Sequence, residues 1–434
     1  MSLSLDQISL KDALAFVVDN RGKTAPTAET GYALIAANCI SNDDLYPTYK
    51  NVRYVSEETF QNWFRAHPKP GDIILTNKGS QNGAVCLVPE VVDFCIAQDM
   101  MALRADTKRI DSLYLFAALR SAPIQQAIKN LNVDGVIPHF KKTDFDKLFI
   151  PLPARSAQVL IGKLHFCLVE KIELNRKMNA TLEAMARALF RDWFVDFGPT
   201  RAKMEGRPPY LSPDLWSLFP DRLDAESKPE GWEDKPLTEF FSIIGGGTPK
   251  TSNADFWDGA IPWFSVTDTP PNGSVFVTDT EKTITGAGLN GSSARLVPKG
   301  TTIISARGTV GNLAVTGRDM TFNQSCYGLR GAGSVGDYAT YLIAQNMVSQ
   351  LQAMAHGSVF STITRQTFES LSLPMPNREI LVAFEHAVSP LFDRILSNVN
   401  VSRTLAQTRD LLLPRLMSGE LRLANVDSHR AEQA

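Results

Sequence analysis

Basic side chains held in loops are the plainest chemistry this sequence offers. Lys78 ends the run Gly71-Asp-Ile-Ile-Leu-Thr-Asn-Lys78-Gly79, and Arg307 ends Gly300-Thr-Thr-Ile-Ile-Ser-Ala-Arg307-Gly308. In both, a short β-rich run stops at a cation followed by glycine, so the backbone can approach a phosphate closely. An arginine there can also bind a guanine edge through two hydrogen bonds, which lysine does less rigidly. Arg21 and Lys23 occupy one loop, and Lys250 with Thr251 and Ser252 occupies a parallel one. Lys141 and Lys142 follow Pro138-His139-Phe140, while the matching loop from Ser361 to Arg365 is rich in hydroxyls and carries Arg365 as its cation. Taken singly, each charge is at least as well explained as solvated surface. The recurrence of Lys78 and Arg307 shifts that balance only modestly.

Two motifs suggest catalysis and fail on their neighbours. Gly331-Ala-Gly-Ser-Val-Gly336 has the spacing of a loop that cradles phosphate or S-adenosylmethionine. No acidic residue stands on a following strand to hold a ribose, so a variable loop is the better reading. Arg207-Pro-Pro-Tyr210 has the shape of an amino-methyltransferase motif, but that chemistry needs a side-chain carbonyl to accept from the amino group. Arginine has only donors. No Gly-x4-Gly-Lys-Ser/Thr loop occurs, which argues against a nucleotide-driven motor. The six histidines show no metal-ligand spacing, and nothing specifies a Ser/His/Asp set.

The elements that position the basic loops must come from a chain of 434 residues, long enough for two or three domains. Apolar residues at 44% and charged residues at 21% permit proper cores. No apolar run reaches membrane-span length, and Ser2 to Asp12 is too polar for a signal-peptide core. Five cysteines without a Cys-x-x-Cys pair argue against a disulfide scaffold or zinc site, leaving a reducing cytoplasm as the default location. With a net charge of −2, any surface for a polyanion has to be built locally.

The chain is written twice. Pro151 matches Pro374 and Arg155 matches Arg378, both at an offset of 223 residues, and Phe145 matches Phe368. Ala97-Gln98 lines up with Asn323-Gln324, and Gly135 to Leu148 with Gly357 to Leu371. Each copy is a mixed α/β block followed by a helical block. Ile73 to Leu75 and Thr301 to Ser305 are expected strands, and Asp111 to Lys129 and Tyr338 to Met354 are expected helices.

In the helical blocks, apolar residues fall alternately three and four apart. The first seam runs through Leu164, Leu168, Asn175, Leu182 and Leu189, the second through Leu391, Asn398, Leu405 and Leu412. Asn175 and Asn398 occupy the same place, and a buried amide needs a polar partner, so the two helices are expected to pair with each other. Pro390 should kink the second helix. A helix of about 35 residues spans roughly 50 Å, on the order of 15 base pairs of duplex. The expected organisation is a first block at 1–153, helix at 154–198, Pro-rich semi-extended linker at 199–236, second block at 237–376, helix at 377–418 and tail at 419–434. The fold class is α/β (mixed α+β), with two pseudo-repeated globular domains separated by an antiparallel two-helix coiled coil.

Lys171-Ile-Glu-Leu-Asn-Arg-Lys-Met-Asn-Ala-Thr-Leu-Glu-Ala-Met-Ala-Arg-Ala-Leu-Phe190 resembles the central conserved region of type I restriction–modification specificity subunits. Gly246-Gly-Thr-Pro-Lys250, Ile261-Pro-Trp263, Leu296-Val-Pro-Lys-Gly300, Trp216 to Leu223, Pro229 to Trp232 and Leu413 to Leu421 resemble that family in the same order. The first block is the weaker match, with Arg21-Gly-Lys-Thr24 where a Gly-Gly-Thr-Pro start is expected. The resemblance implies a non-catalytic chain that reads a two-part, asymmetric double-stranded DNA target. It also implies two target recognition domains, two adenine methyltransferase subunits clasping the helices and, where the system has them, two restriction subunits. S-adenosylmethionine, ATP and Mg2+ would then sit on partners and none on this chain. Trp193, Phe194 and Phe197 at the end of the first helix either pack against a block or the linker, or meet the methyltransferase. A self-sufficient methyltransferase, a protein-interaction scaffold, and a related system whose partner combines methylation and cleavage are the alternatives.

Overall fold

Both β-rich runs that lead into the basic loops are central strands. This computed structural model describes residues 6–20, 22–131, 138–270, 274–356 and 362–421. They divide into two units, Met1–Leu174 with Ser402–Ala434, and Asn175–Val401. Each unit therefore holds one globular block and part of both long helices.

In the first unit a four-stranded antiparallel sheet runs Leu14–Asp19, Met100–Ala105, Ile73–Thr76, Val85–Leu87. Alternation along the third of these sends Ile73 and Leu75 into one core and Ile74 into another. A second sheet places Tyr32–Ile35 between Arg53–Val55 and a parallel partner, Phe94–Ile96. Gln7–Ser9 pairs with Phe149–Pro151, tying the start of the block to its end.

The second unit repeats this plan with one strand added. Its sheet runs Phe241–Gly245, Cys326–Gly331, Thr302–Ser305, Leu313–Thr316, and ends on Phe276–Val277, parallel to its neighbour. Ile303 and Ile304 face opposite cores, as Ile74 and Ile73 do. Trp257–Phe264 sits between Lys282–Ile284 and a parallel partner, Thr321–Phe322. Glu233–Pro236 pairs with Ser372–Met375.

The expected helix over 111–129 is two helices, Ser112–Arg120 and Ala122–Asn130, with Ser121 extended between them. Pro123 in the first turn of the second explains the break, because it cannot donate and its ring clashes with the preceding turn. The second unit lacks that proline and has one helix, Asp337–His356.

The long helices are Arg155–Phe194 and Arg378–Met417, each 40 residues. The second helix continues without a break through Pro390. In the first unit Leu164 and Leu168 line a small gap with Leu412, Leu413 and Leu416. In the second, Asn175 Nδ2 donates to the Asn398 carbonyl at 3.5 Å, and Asn398 Nδ2 donates to Asn179 Oδ1 at 2.9 Å. The pairing is antiparallel. The expected seam is nevertheless only half-buried at Leu164, Leu168, Leu182, Leu189, Leu391, Leu405 and Leu412. The most buried stripe lies one residue further on, through His165, Val169, Ile172, Asn179, Glu183, Ala186 and Phe190. Each helix packs on a globular block as well as on its partner, and the stripe turns toward the larger burial.

The segment expected as a semi-extended linker is folded. The first long helix stops at Phe194, and Gly198-Pro199 opens a short helix, Gly198–Met204, instead of ending one. Proline in a first turn costs no hydrogen bond. Pro213–Leu218 is a second short helix, and Phe219 and Trp232 are buried in the second unit's core.

Candidate nucleic-acid interface

Three loops meet at one end of each main sheet. In the first unit Thr76 pairs with Met100 and Asp19 with Met101, so the loops after Asp19 and Thr76 and the turn before Met100 emerge together. In the second, Ser305 pairs with Cys326 and Gly245 with Tyr327, which gathers the equivalent segments.

A fourth loop closes over each group. Lys78 forms an isolated antiparallel bridge with His139, and Arg307 forms one with Thr362. The repeat offset of 223 carries His139 onto Thr362, so the same contact is made twice. Phe140 N–H donates to the Asn77 carbonyl at 2.9 Å and Gly79 N–H to the Pro138 carbonyl at 3.0 Å. Those bonds flank the Lys78–His139 pair without joining it, the arrangement in which opposed side chains lie closest. Ile363 N–H donates to the Ala306 carbonyl at 3.0 Å in the second unit. Gly79 and Gly308 have φ of +92° and +76°, a conformation that disfavours side chains, and a Cβ on either would meet nothing within 4 Å.

A polar clasp missed in the sequence joins two of the loops. Thr24 Oγ1 donates to Gln98 Oε1 at 3.2 Å, and Thr248 Oγ1 donates to Gln324 Oε1. Beside it, Asn77 N–H donates to the Asp99 carbonyl at 3.0 Å and Ala306 N–H to the Ser325 carbonyl at 2.8 Å. The sequence repeat shows only the matched glutamines. Their threonines lie 74 and 76 residues away in sequence.

Lys23, Lys78, Lys141, Lys142, Lys250, Thr251, Ser252 and Arg307 are all exposed. Lys78 and Lys141 come near each other at His139, where burial first, then these two charges, hold the ring below the ordinary imidazole value. Arg21, residues 132–137 and residues 357–361, Ser361 among them, lie outside the described residues. The clasp sets Thr24 opposite Thr248, so Lys23 corresponds to Gly247 and not to Lys250. Arg365 is exposed on the short helix Arg365–Glu369 and faces Glu369 at 3.6 Å, so its charge is already partly answered.

The family model for the type I restriction modification DNA specificity domain matches residues 26–184 and again residues 229–393. The chain belongs to that family. It is 27% identical over 401 residues to the specificity subunit of the type I restriction enzyme HindI of Haemophilus influenzae, covering 81% of this chain and 87% of that one. It is 24% identical over 331 residues to the MjaIX specificity subunit of Methanocaldococcus jannaschii, covering 72% of this chain and 69% of that one. The crystal structure of a type I restriction–modification S subunit from M. genitalium shares the fold, with a TM-score of 0.56, 16% identity and 96% of each chain covered.

In this specificity-family chain the two catalytic look-alikes have structural explanations. Glu385 accepts from Tyr338 N–H at 3.2 Å and Ala339 N–H at 2.9 Å, so a carboxylate already fills the helix N-terminus behind Gly331–Gly336. A Cβ on Gly336 would strike that carboxylate at 1.9 Å. Tyr210 donates its hydroxyl to Asp192 at 2.9 Å and anchors the folded linker to the first long helix. Trp193 is 2% exposed and packs edge-on against Phe219 and Phe384 at 5.1 and 5.5 Å, so the packing alternative accounts for it. Phe194 and Phe197 are half-buried, the latter against Trp232 at 5.7 Å. Among the described residues no group of His, Cys, Asp and Glu could hold a metal ion, and no helix is long and apolar enough to cross a membrane.

Proposed function

We propose that this chain is the DNA-reading subunit of a type I restriction–modification complex. Each globular block reads one half of a two-part, asymmetric site in double-stranded DNA. The observation that carries this is the duplicated loop group, in which Lys78 and Arg307 hold equivalent exposed places with different side chains around them. Duplication suits a target in two parts, and divergence suits halves that differ. Lys23, Lys141, Lys142 and Lys250, with the hydroxyls of Thr251 and Ser252, supply phosphate contacts around these centres. The helix pair scaffolds two adenine methyltransferase subunits and, where present, restriction subunits. Methyl transfer and ATP-driven cleavage belong to those partners, which carry S-adenosylmethionine, ATP and Mg2+. The setting is the cytoplasm of a bacterium or archaeon.

The test is a map of modified bases in cells that express this chain together with its methyltransferase subunit, against cells lacking this chain. Adenine methylation at one split motif, present only with this chain, is the expected result. A soluble complex that leaves no such motif overturns the reading in favour of a scaffold whose blocks bind protein.

A further inference from the structure

Some features of the loop group are identical in the two blocks and others are not. Thr24–Gln98 and Thr248–Gln324 form the same clasp from the same residues. A device common to both blocks positions a duplex and cannot tell one half-site from the other. The bridge beside it is built from the same backbone contact but from different side chains, Lys and His in one block, Arg and Thr in the other.

We propose that the cross-strand pairs Lys78–His139 and Arg307–Thr362 are the residues that make the two blocks prefer different bases. This rests on the reading of the chain as a DNA specificity subunit. In an antiparallel bridge the two opposed side chains leave the same face within about 5 Å of each other, so each pair presents one compact edge. Lys78 offers donors around a single point, and neutral His139, with Nε2 accepting from Asn77, adds one further donor at Nδ1. Arg307 offers a planar fork that fits the two acceptors of guanine, and Thr362 adds a hydroxyl and a methyl group that can meet thymine. Asn77 Nδ2 lies 3.5 Å from His139 Nε2, whereas its counterpart Ala306 has no polar side chain, so the tautomer control present in one block is missing in the other. The two edges differ in charge shape, acceptor content and apolar content while sharing one backbone frame.

The experiment exchanges the pairs in the full-length chain, co-expressed with its methyltransferase subunit, and maps methylated adenines. Lys78→Arg with His139→Thr is expected to change base preference by about ten- to a hundredfold at one or two adjacent positions of one half-site. The other half-site stays as in the parent. Arg307→Lys with Thr362→His is expected to act on the opposite half only. An unchanged motif, whether methylated fully or weakly, overturns the proposal, because the pairs then contribute affinity and not choice. The single variants His139→Thr and Arg307→Lys carry the same test if a double variant is insoluble. A parent chain that directs no split motif brings down the functional reading itself, and this proposal with it. A parent motif that survives the exchange brings down the proposal alone.

Discussion

Asn398 donates its side-chain amide to Oδ1 of Asn179 at 2.9 Å, from one long helix to the other. Both residues are less than 5% exposed. A buried amide that loses its partner costs about 1–3 kcal/mol, whereas removing both partners together is far less costly. Asn179→Leu alone is therefore expected to lower stability by that amount, and Asn179→Leu with Asn398→Leu by less than the sum of the two single changes. Denaturant unfolding of the four proteins closes the cycle. Additivity of the two changes would show that the amides do not depend on each other.

Position 162 shows the same logic in a tighter space. The repeat offset sets Gly162 opposite Glu385, which caps the helix Asp337–His356 in the second unit. In the first unit there is no room for a side chain, since a Cβ on Gly162 would lie 2.5 Å from Tyr114 N. Gly162→Ala is expected to destabilise the first unit by about 1–3 kcal/mol through overpacking, despite alanine's better helix propensity. A rise in melting temperature would mean the helices yield there.

The repeat itself was legible because matched residues such as Pro151 and Pro374 keep a spacing of 223, and the structure returns that spacing between His139 and Thr362, while their bridge partners Lys78 and Arg307 stand 229 apart. The helix partnership was legible from Asn175 and Asn398. Which face each helix buries most deeply was not. A three-four pattern defines a stripe, but Leu164 and His165 border the same stripe, and only the block lying beneath the helix turns it toward His165. The Thr24–Gln98 clasp was hidden for another reason. Its partners are ordinary polar residues far apart in sequence, with no period or spacing to link them. The folded linker is not legible in its proline content, which suggests extension, because Pro199 and Pro213 sit in first turns, where helices accept them.

His165 makes the first unit sensitive to acid. The ring is 3% exposed, and neither nitrogen has a hydrogen-bond partner among the described residues. Burial, reinforced by the charges of Arg120 and Arg409, pushes its pKa down to about 3. The unfolded chain thus takes up this proton before the folded one does. The stability involved is fully present above the ordinary imidazole value and is lost as pH falls from about 6.5 toward 3, by at most about 1.4 kcal/mol per pH unit. His165→Phe is expected to flatten that part of the stability profile between pH 7 and 5. An unchanged slope would move the effect to His67 or His139, whose values are also lowered.

Salt dependence separates cations that meet phosphate from those that only sit on the surface. Every phosphate neutralised by the protein releases condensed counterions, and each contact adds about 0.9 to the slope of log affinity against log salt. Lys141→Gln is expected to weaken binding of duplex DNA and to reduce that slope by about one contact. Lys250→Gln is expected to do the same through the other block. Arg365 faces Glu369 at 3.6 Å, so Arg365→Gln should alter the slope much less. Titrating the purified complex with a duplex carrying its mapped site, at several salt concentrations, measures all three. Equal slopes for the parent and Lys141→Gln would remove Lys141 from the phosphate contacts, and a larger loss at Arg365 than at Lys250 would place the second block's contact on the helix Arg365–Glu369 instead of on the loop that holds Lys250.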